Sequence, residues 1–152
     1  MTRHALPLLA LVPLVLMACG SNDDPAPPQS IATVSDALCR PTPNGRQMTG
    51  CYVTITATGD DRLMSVTTPA ASRVEIHESR IESGMMMMSH LREGLPLPAG
   101  QAVELKPGGN HIMLLGVTDP LTAGESVTMT LNFAVAKPLE VIAPVRQPPV
   151  AG

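Results

Sequence analysis

Short runs of alternating apolar and polar residues recur along most of the chain, and they limit the folds open to it. A strand places successive side chains on opposite faces of a sheet, so such runs are typical of strands with one buried face. Turn formers such as Gly59-Asp60-Asp61 and Pro107-Gly108-Gly109 separate the runs, and no segment has a sustained helical period with caps. Many short strands at this spacing predict an antiparallel sandwich or barrel. The runs are CYVTITATG, RLMSVTT, SRVEIHESRI, QAVELKP, HIMLLGV, SVTMTLNFAV and LEVIAPV.

The interior of such a domain must be aliphatic, because Tyr52 and Phe133 are the only aromatic residues in the chain. Its core is therefore predicted to consist of Val, Leu, Ile, Ala and Met. Residues 31–146 are numerous enough for one domain with one core.

The N-terminal segment has the features of a bacterial lipoprotein leader. Arg3 and His4 precede a short apolar run, which predicts a secretory signal peptide over residues 1–18 rather than a membrane span. The run ends in Leu-Met-Ala-Cys, which resembles a lipobox and predicts acylation of Cys19. An ordinary signal peptide with a coincidental cysteine is the alternative. Gly20 and Ser21 follow the cysteine without an aspartate, which favours the outer membrane of a Gram-negative bacterium over the inner one.

Polar, proline-rich segments flank the predicted domain. Residues 19–30 are predicted to be a lipid-anchored flexible tether, and residues 147–152 a disordered tail. Without Arg3 the mature chain has 9 basic and 13 acidic residues, a net charge of −4. This balance excludes a basic nucleic-acid footprint. Contact with the membrane is expected through the lipid anchor only.

The segment 77–113 contains three histidines and five of the ten methionines. Thioethers are soft, uncharged donors that suit Cu(I), and imidazole suits several transition metals. Zinc more usually takes additional Cys, His or carboxylate ligands, and hard cations take oxygen ligands. The segment therefore indicates monovalent copper. The alternative is that the four consecutive methionines are packing residues, because Met fills irregular gaps in cores.

A strand period of two places His111 and Met113 on one face of their strand. The same period places Met86 and Met88 on one face of the methionine run, and Met85 and Met87 on the other. One of these two faces is expected in the core. The other pair would then be exposed thioethers, which is unusual unless they bind a ligand.

These residues resemble the periplasmic PCu(A)C-type copper chaperones, whose pattern is a histidine, ten residues, a methionine, twenty-one residues and His-x-Met. Here ten residues separate His77 from Met88, and 22 separate Met88 from His111. The resemblance extends over about Val34 to Arg146. Companion phrases also match, namely AASRVEIHE, GLPLPAG, VELKPGG, HIML and PLTAGESVTMTLNF. The resemblance implies an all-β, cupredoxin-like Greek-key β-sandwich.

The resemblance also implies a copper site with His77, Met88, His111 and Met113 as ligands. Because the second spacing is one residue longer than in the family, Met86 or Met87 is an alternative to Met88. His90 lies beside the methionine run and is either an auxiliary donor or a histidine of a surface loop. Many relatives have a methionine where this chain has Ser79. Glu78 and Asn110 adjoin the two principal histidines, and they are candidates to orient the rings or are ordinary solvated residues.

The remaining two cysteines form an even pair once Cys19 is acylated. In an oxidising compartment Cys39 and Cys51 are expected to form a disulfide across a turn-rich segment. A thiolate copper site is the alternative. Met48, Met64 and Met129 occupy strand or turn contexts and are predicted to be packing residues.

The resemblance implies a non-enzymatic copper(I) metallochaperone of the periplasm. Its acceptor would be the binuclear copper centre of a respiratory haem–copper oxidase, or another copper chaperone that serves it. One alternative is a blue-copper electron carrier, which needs a cysteine thiolate with two histidines. Another is a metal-free lipoprotein sandwich that acts as a binding module. The sequence contains no phosphate-binding glycine loop and no G-x-S-x-G elbow.

Overall fold

The computed structural model describes residues 29–149. The predicted signal peptide, Cys19 and most of the predicted tether lie outside the described residues, as does the end of the predicted C-terminal tail. Within the described part of the chain, no helix has the length and apolar character needed to cross a membrane.

Residues 29–149 contain ten strands and no helix. Strands β1, β2, β8, β4 and β5 form one sheet in that order, and β7 also pairs with β2. The second sheet has the order β10, β9, β3, β6. All these pairings are antiparallel, so the prediction of an antiparallel sandwich is confirmed. The strands are β1 (Ala32–Cys39), β2 (Met48–Ala57), β3 (Asp61–Thr67), β4 (Ala71–Glu82), β5 (Met85–His90), β6 (Leu95–Leu97), β7 (Ala102–Glu104), β8 (His111–Val117), β9 (Ser126–Phe133) and β10 (Leu139–Pro144).

The core lies between the two sheets and is aliphatic, as the composition predicts. Strand β8 illustrates how alternation builds it. Ile112 and Leu114 are fully buried and belong to the core, whereas His111 and Met113 face the other side of the sheet. This outer face of the first sheet is the surface on which the candidate metal ligands lie.

The predicted disulfide between Cys39 and Cys51 is present. The two residues are directly opposite each other in the β1–β2 ladder, with Cα atoms 4.0 Å apart, and both are fully buried. The bond closes the loop between these strands. Because both sulfurs are in the disulfide, neither of these cysteines offers a thiolate to copper, which removes the thiolate site suggested as the alternative.

Strands β4 and β5 form a hairpin at the edge of the first sheet. Its turn consists of Ser83 and Gly84, both at positive φ (51° and 79°), as a two-residue turn of type I′ requires. All six residues of β5 are exposed. The hairpin extends past His77, where the pairing of β4 with β8 ends. The expectation that one face of the methionine run enters the core is therefore wrong: both faces are accessible.

Candidate metal site

Three histidines lie side by side across the outer face of the first sheet. His77 of β4 is directly opposite His111 of β8, and their ring centroids are 5.7 Å apart. On its other side His77 is opposite His90 of β5, with ring centroids 5.8 Å apart. His90 is thus the last residue of a strand, and the interpretation of it as a surface-loop residue is wrong. The β4–β5 turn sets the register that brings it here.

Thioethers from two strands border a groove beside His111. Met88 and Met86 alternate along β5 on the same face as His90, and Met113 follows His111 on β8. His111 and these three methionines line one groove of about 370 Å³. The separation of the methionine run into two faces is as expected, because Met87 is opposite Arg80 on the other face. Met87 is not brought to the groove.

His77 adjoins the groove and is held by a carboxylate. Its Nε2 is 2.7 Å from Oε2 of Glu75, and Arg73 Nε is 3.1 Å from the other carboxylate oxygen. The hydrogen bond from His77 lowers the pKa of the Glu75 carboxyl; burial opposes this shift and the Arg73 charge adds to it. An ionised carboxylate can only accept, so Nε2 of His77 has the hydrogen and donates it.

In the neutral form of the ring, the other nitrogen of His77 then has a free lone pair. This Nδ1 is buried and has no hydrogen-bond partner. Buried polar atoms are nearly always paired, so an unpartnered one needs an explanation such as an absent ligand. An Nδ1 held in this tautomer by a carboxylate on the opposite nitrogen is typical of metal-ligating histidines.

The hydrogen bonding of His111 gives the opposite tautomer. Its Nδ1 is 2.9 Å from the carbonyl oxygen of Gly109, which can only accept, so Nδ1 donates and Nε2 has the lone pair. Burial lowers the pKa of the His111 imidazole, the hydrogen bond to Gly109 opposes this shift, and the electrostatic interaction with His77 lowers it further. This shift favours the neutral imidazole, which is the form that binds metals.

Two groups at this face were missed or assigned other roles from the sequence. Met48 of β2 was assigned to packing, yet its side chain is 42% exposed and lines the same groove as Met113. Glu75 orients His77, whereas Glu78 pairs with Arg80 instead. The alternation of MTGCYV already places Met48 on the outer face of its strand. Only the sheet order places that strand next to β8.

Asn110 was a candidate to orient the ring of His111, but a different group does so. The carbonyl of Asn110 accepts a hydrogen bond from the backbone NH of Lys106. The Gly109 carbonyl is the group that holds the His111 ring. Every residue has a backbone carbonyl, so the sequence alone cannot indicate which one bonds to a histidine.

The donors around the groove are soft. Within residues 29–149, no group of three or more His, Cys, Asp or Glu side chains is arranged to hold a metal ion. The donors that do converge are thioether sulfurs and imidazole nitrogens, and this combination fits Cu(I) better than Zn²⁺ or the hard cations.

Solved structures of PCuAC domains are similar to this fold. The copper-bound PCuAC domain from PmoF2 matches with a TM-score of 0.64 and 23% identity, over 77% of this chain and 93% of that domain. Apo-DR1885 from Deinococcus radiodurans matches with a TM-score of 0.58 and 27% identity, over 97% of both chains. The Cu(I) form, CuI-DR1885, matches at 0.58 and 26%, over 81% of both. The predicted cupredoxin-like β-sandwich is confirmed.

The sequence is also similar to that of a bacterial lipoprotein. "Putative lipoprotein Lxx21020" of Leifsonia xyli subsp. xyli is 36% identical over 104 residues, which is 67% of this chain and 63% of that protein. The match thus spans less than two thirds of the relative's length. Residues 32–145 match the sequence model of the family described as "Putative lipoprotein LpqE-like". The chain therefore belongs to the LpqE-like family.

Proposed function

We propose that the chain is a Cu(I)-binding metallochaperone whose ligands are Nδ1 of His77, Met88, Nε2 of His111 and Met113. The observation that most supports this assignment is the convergence of Met88, His111 and Met113 on one groove, with His77 directly opposite His111. Met86 is the alternative to Met88, because it lines the same groove. His90 remains an auxiliary candidate through its position beside His77.

This donor set suits a carrier rather than an enzyme. Two imidazoles and two thioethers are neutral, so the bound ion keeps its single positive charge. Thioethers stabilise the reduced ion, so the site favours Cu(I) over Cu(II). The groove is open on the outer face of the sheet, and an acceptor can therefore approach and replace the ligands one at a time. No bond in a substrate is made or broken in such a transfer.

The comparisons support copper as the cargo, since the names of two similar structures state that they hold copper, one of them as Cu(I). We propose the binuclear copper centre of a haem–copper oxidase, or a chaperone that serves it, as the acceptor. We also propose that acylated Cys19 anchors the chain to a membrane, in line with the lipoprotein names of its family and relative. Periplasmic location and sorting to the outer membrane of a Gram-negative bacterium stay predictions from the leader.

Adding Cu(I) anaerobically with a reductant should raise the melting temperature of the metal-free protein. A ligand at a thousand times its dissociation constant stabilises the native state by about 4 kcal/mol. Thermal unfolding followed by circular dichroism measures the shift, and X-ray absorption of the reduced holo-protein reports the sulfur and nitrogen neighbours. An unchanged melting temperature would favour the metal-free binding module. No intense blue absorption is expected with Cu(II), because a blue-copper electron carrier needs a cysteine thiolate and Cys39 and Cys51 are in the disulfide.

Glu75→Gln should weaken Cu(I) binding by about 10-fold to 100-fold, the usual effect of changing a group that orients a metal ligand. The amide has no charge to hold the Nε2–H tautomer of His77, so Nδ1 is presented less often. Competition with a chromophoric Cu(I) chelator measures the affinity, and ¹⁵N NMR of the metal-free protein measures the tautomer. Glu104→Gln is a matched control, because Glu104 is the last residue of β7 and pairs with Lys106, two residues further along the chain. Equal affinity and an unchanged tautomer in Glu75→Gln would refute the orienting role.

A further inference from the structure

Met48 adds a donor that the four proposed ligands do not include. It lies at the start of β2, directly opposite Leu115 of β8, which makes Met113 its diagonal neighbour on the same face. Diagonal neighbours are about 7–8 Å apart, within reach of long side chains. Met48, Met113 and His111 all line the groove.

A glycine in the floor of the groove makes room for the ring of Tyr52. Gly50 is directly opposite Met113, and a Cβ atom at this position would lie 3.2 Å from the hydroxyl oxygen of Tyr52. A larger residue would displace the Tyr52 ring, which lies over Gly50. Met48 and Met113 line the groove beside this ring.

Met88 differs from Met48 and from the other three proposed ligands in what supports it. Met48 lies on β2, His111 and Met113 on β8, and His77 on β4, and all three strands are in the interior of the first sheet. Met88 lies on β5, the exposed edge strand that pairs only with β4. Segments with few buried contacts open at lower free energy than the core strands do. Separation of β5 from β4 therefore removes Met88 while β2, β8 and β4 stay in place.

We propose that Met48 joins His77, His111 and Met113 in a second coordination state for Cu(I), which holds the ion while Met88 is released. This inference rests on the proposed function and identifies Met48 as the residue that takes part in ligand exchange. Met48 binds as Met88 leaves, so the number of thioethers on the ion is maintained. The ion remains Cu(I) and no electron or proton is transferred. An acceptor then meets copper held on a rigid part of the sheet.

A double-mutant cycle in Cu(I) affinity tests the proposal. Met48→Leu should weaken binding by about threefold when Met88 is present, and by about thirtyfold in the Met88→Leu background. The loss is larger in the second case because Met48 then replaces the missing thioether. Affinities are measured with Cu(I) and a chromophoric competitor chelator. X-ray absorption of Met88→Leu should show a sulfur neighbour that disappears when Met48→Leu is added.

Met64→Leu, made in both backgrounds, is the matched control. Met64 is 46% exposed, close to the value for Met48, but lies on β3 in the other sheet. The proposal is wrong if Met48→Leu changes the affinity of the Met88→Leu variant no more than Met64→Leu does. The proposed function fails separately, if the parent protein itself does not bind one equivalent of Cu(I) or if His111→Ala binds it as tightly.

Discussion

Met113→Leu and His111→Ala are each expected to weaken Cu(I) binding by at least about 100-fold, because changes to groups that merely orient ligands already cost 10–100-fold. Leucine keeps the volume and apolar character of Met113 but has no donor sulfur. His111→Ala removes the Nε2 lone pair that the Gly109 hydrogen bond leaves free. Competition with a chromophoric Cu(I) chelator under reducing, anaerobic conditions measures both affinities.

The position of Met85 makes Met85→Leu the control for the methionine variant. Its side chain is 64% exposed, compared with 61% for Met86, but it lies on the opposite face of β5 from the groove. The Met85→Leu variant should bind Cu(I) with the same affinity as the parent. His111 is only 6% exposed, so the melting temperature of metal-free His111→Ala must be measured alongside its affinity. Parent-like affinity in both Met113→Leu and His111→Ala would show that the metal, if bound, is elsewhere.

Replacing both Cys39 and Cys51 by alanine should lower the free energy of unfolding by about 3 kcal/mol, from the chain entropy regained by the unfolded state when a loop of this size is opened. The residues are 12 apart in sequence and fully buried, so the packing of the core adds to the loss. The melting temperature should fall by roughly 10 °C for a domain of this size. Urea unfolding of the parent and the variant measures the free-energy difference.

Reduction of the parent protein provides the control for that variant. Dithiothreitol should lower the stability of the parent towards that of the variant and should leave the variant itself unchanged. A double variant as stable as the oxidised parent would mean that strand pairing alone holds β1 against β2. The Cu(I) affinity of the folded variant also tests whether the loop after β1 affects the groove, since Arg40 and Arg46 border it.

The strands that alternation predicted are those with one face in the core. Two strands were missed for physical reasons. Strand β1 is largely exposed and contains an irregularity near Asp36, whose φ is 54°, so its alternation is broken. Strand β6 has only three residues, and the central one is Pro96. Proline is tolerated there because β6 is at the edge of its sheet, where a missing NH costs little.

Local spacing predicted the part of the site that lies within single strands. His111 and Met113 share a face, and Met86 and Met88 share another, because the side-chain period of a strand is two. Spacing does not reveal which strands become neighbours. Strand β8 lies between β2 and β4 in the first sheet, although no two of these three strands are consecutive in the sequence. The approach of Met48 to the groove depends on this order, so the sequence alone did not indicate it.

The contact between Nε2 of His77 and Glu75 holds the imidazole in place without any ion. A side chain that is already immobilised loses little rotational freedom on binding, and such preorganisation raises affinity by lowering the entropic cost of association. Part of the cost of gathering the ligands is therefore met when the domain folds.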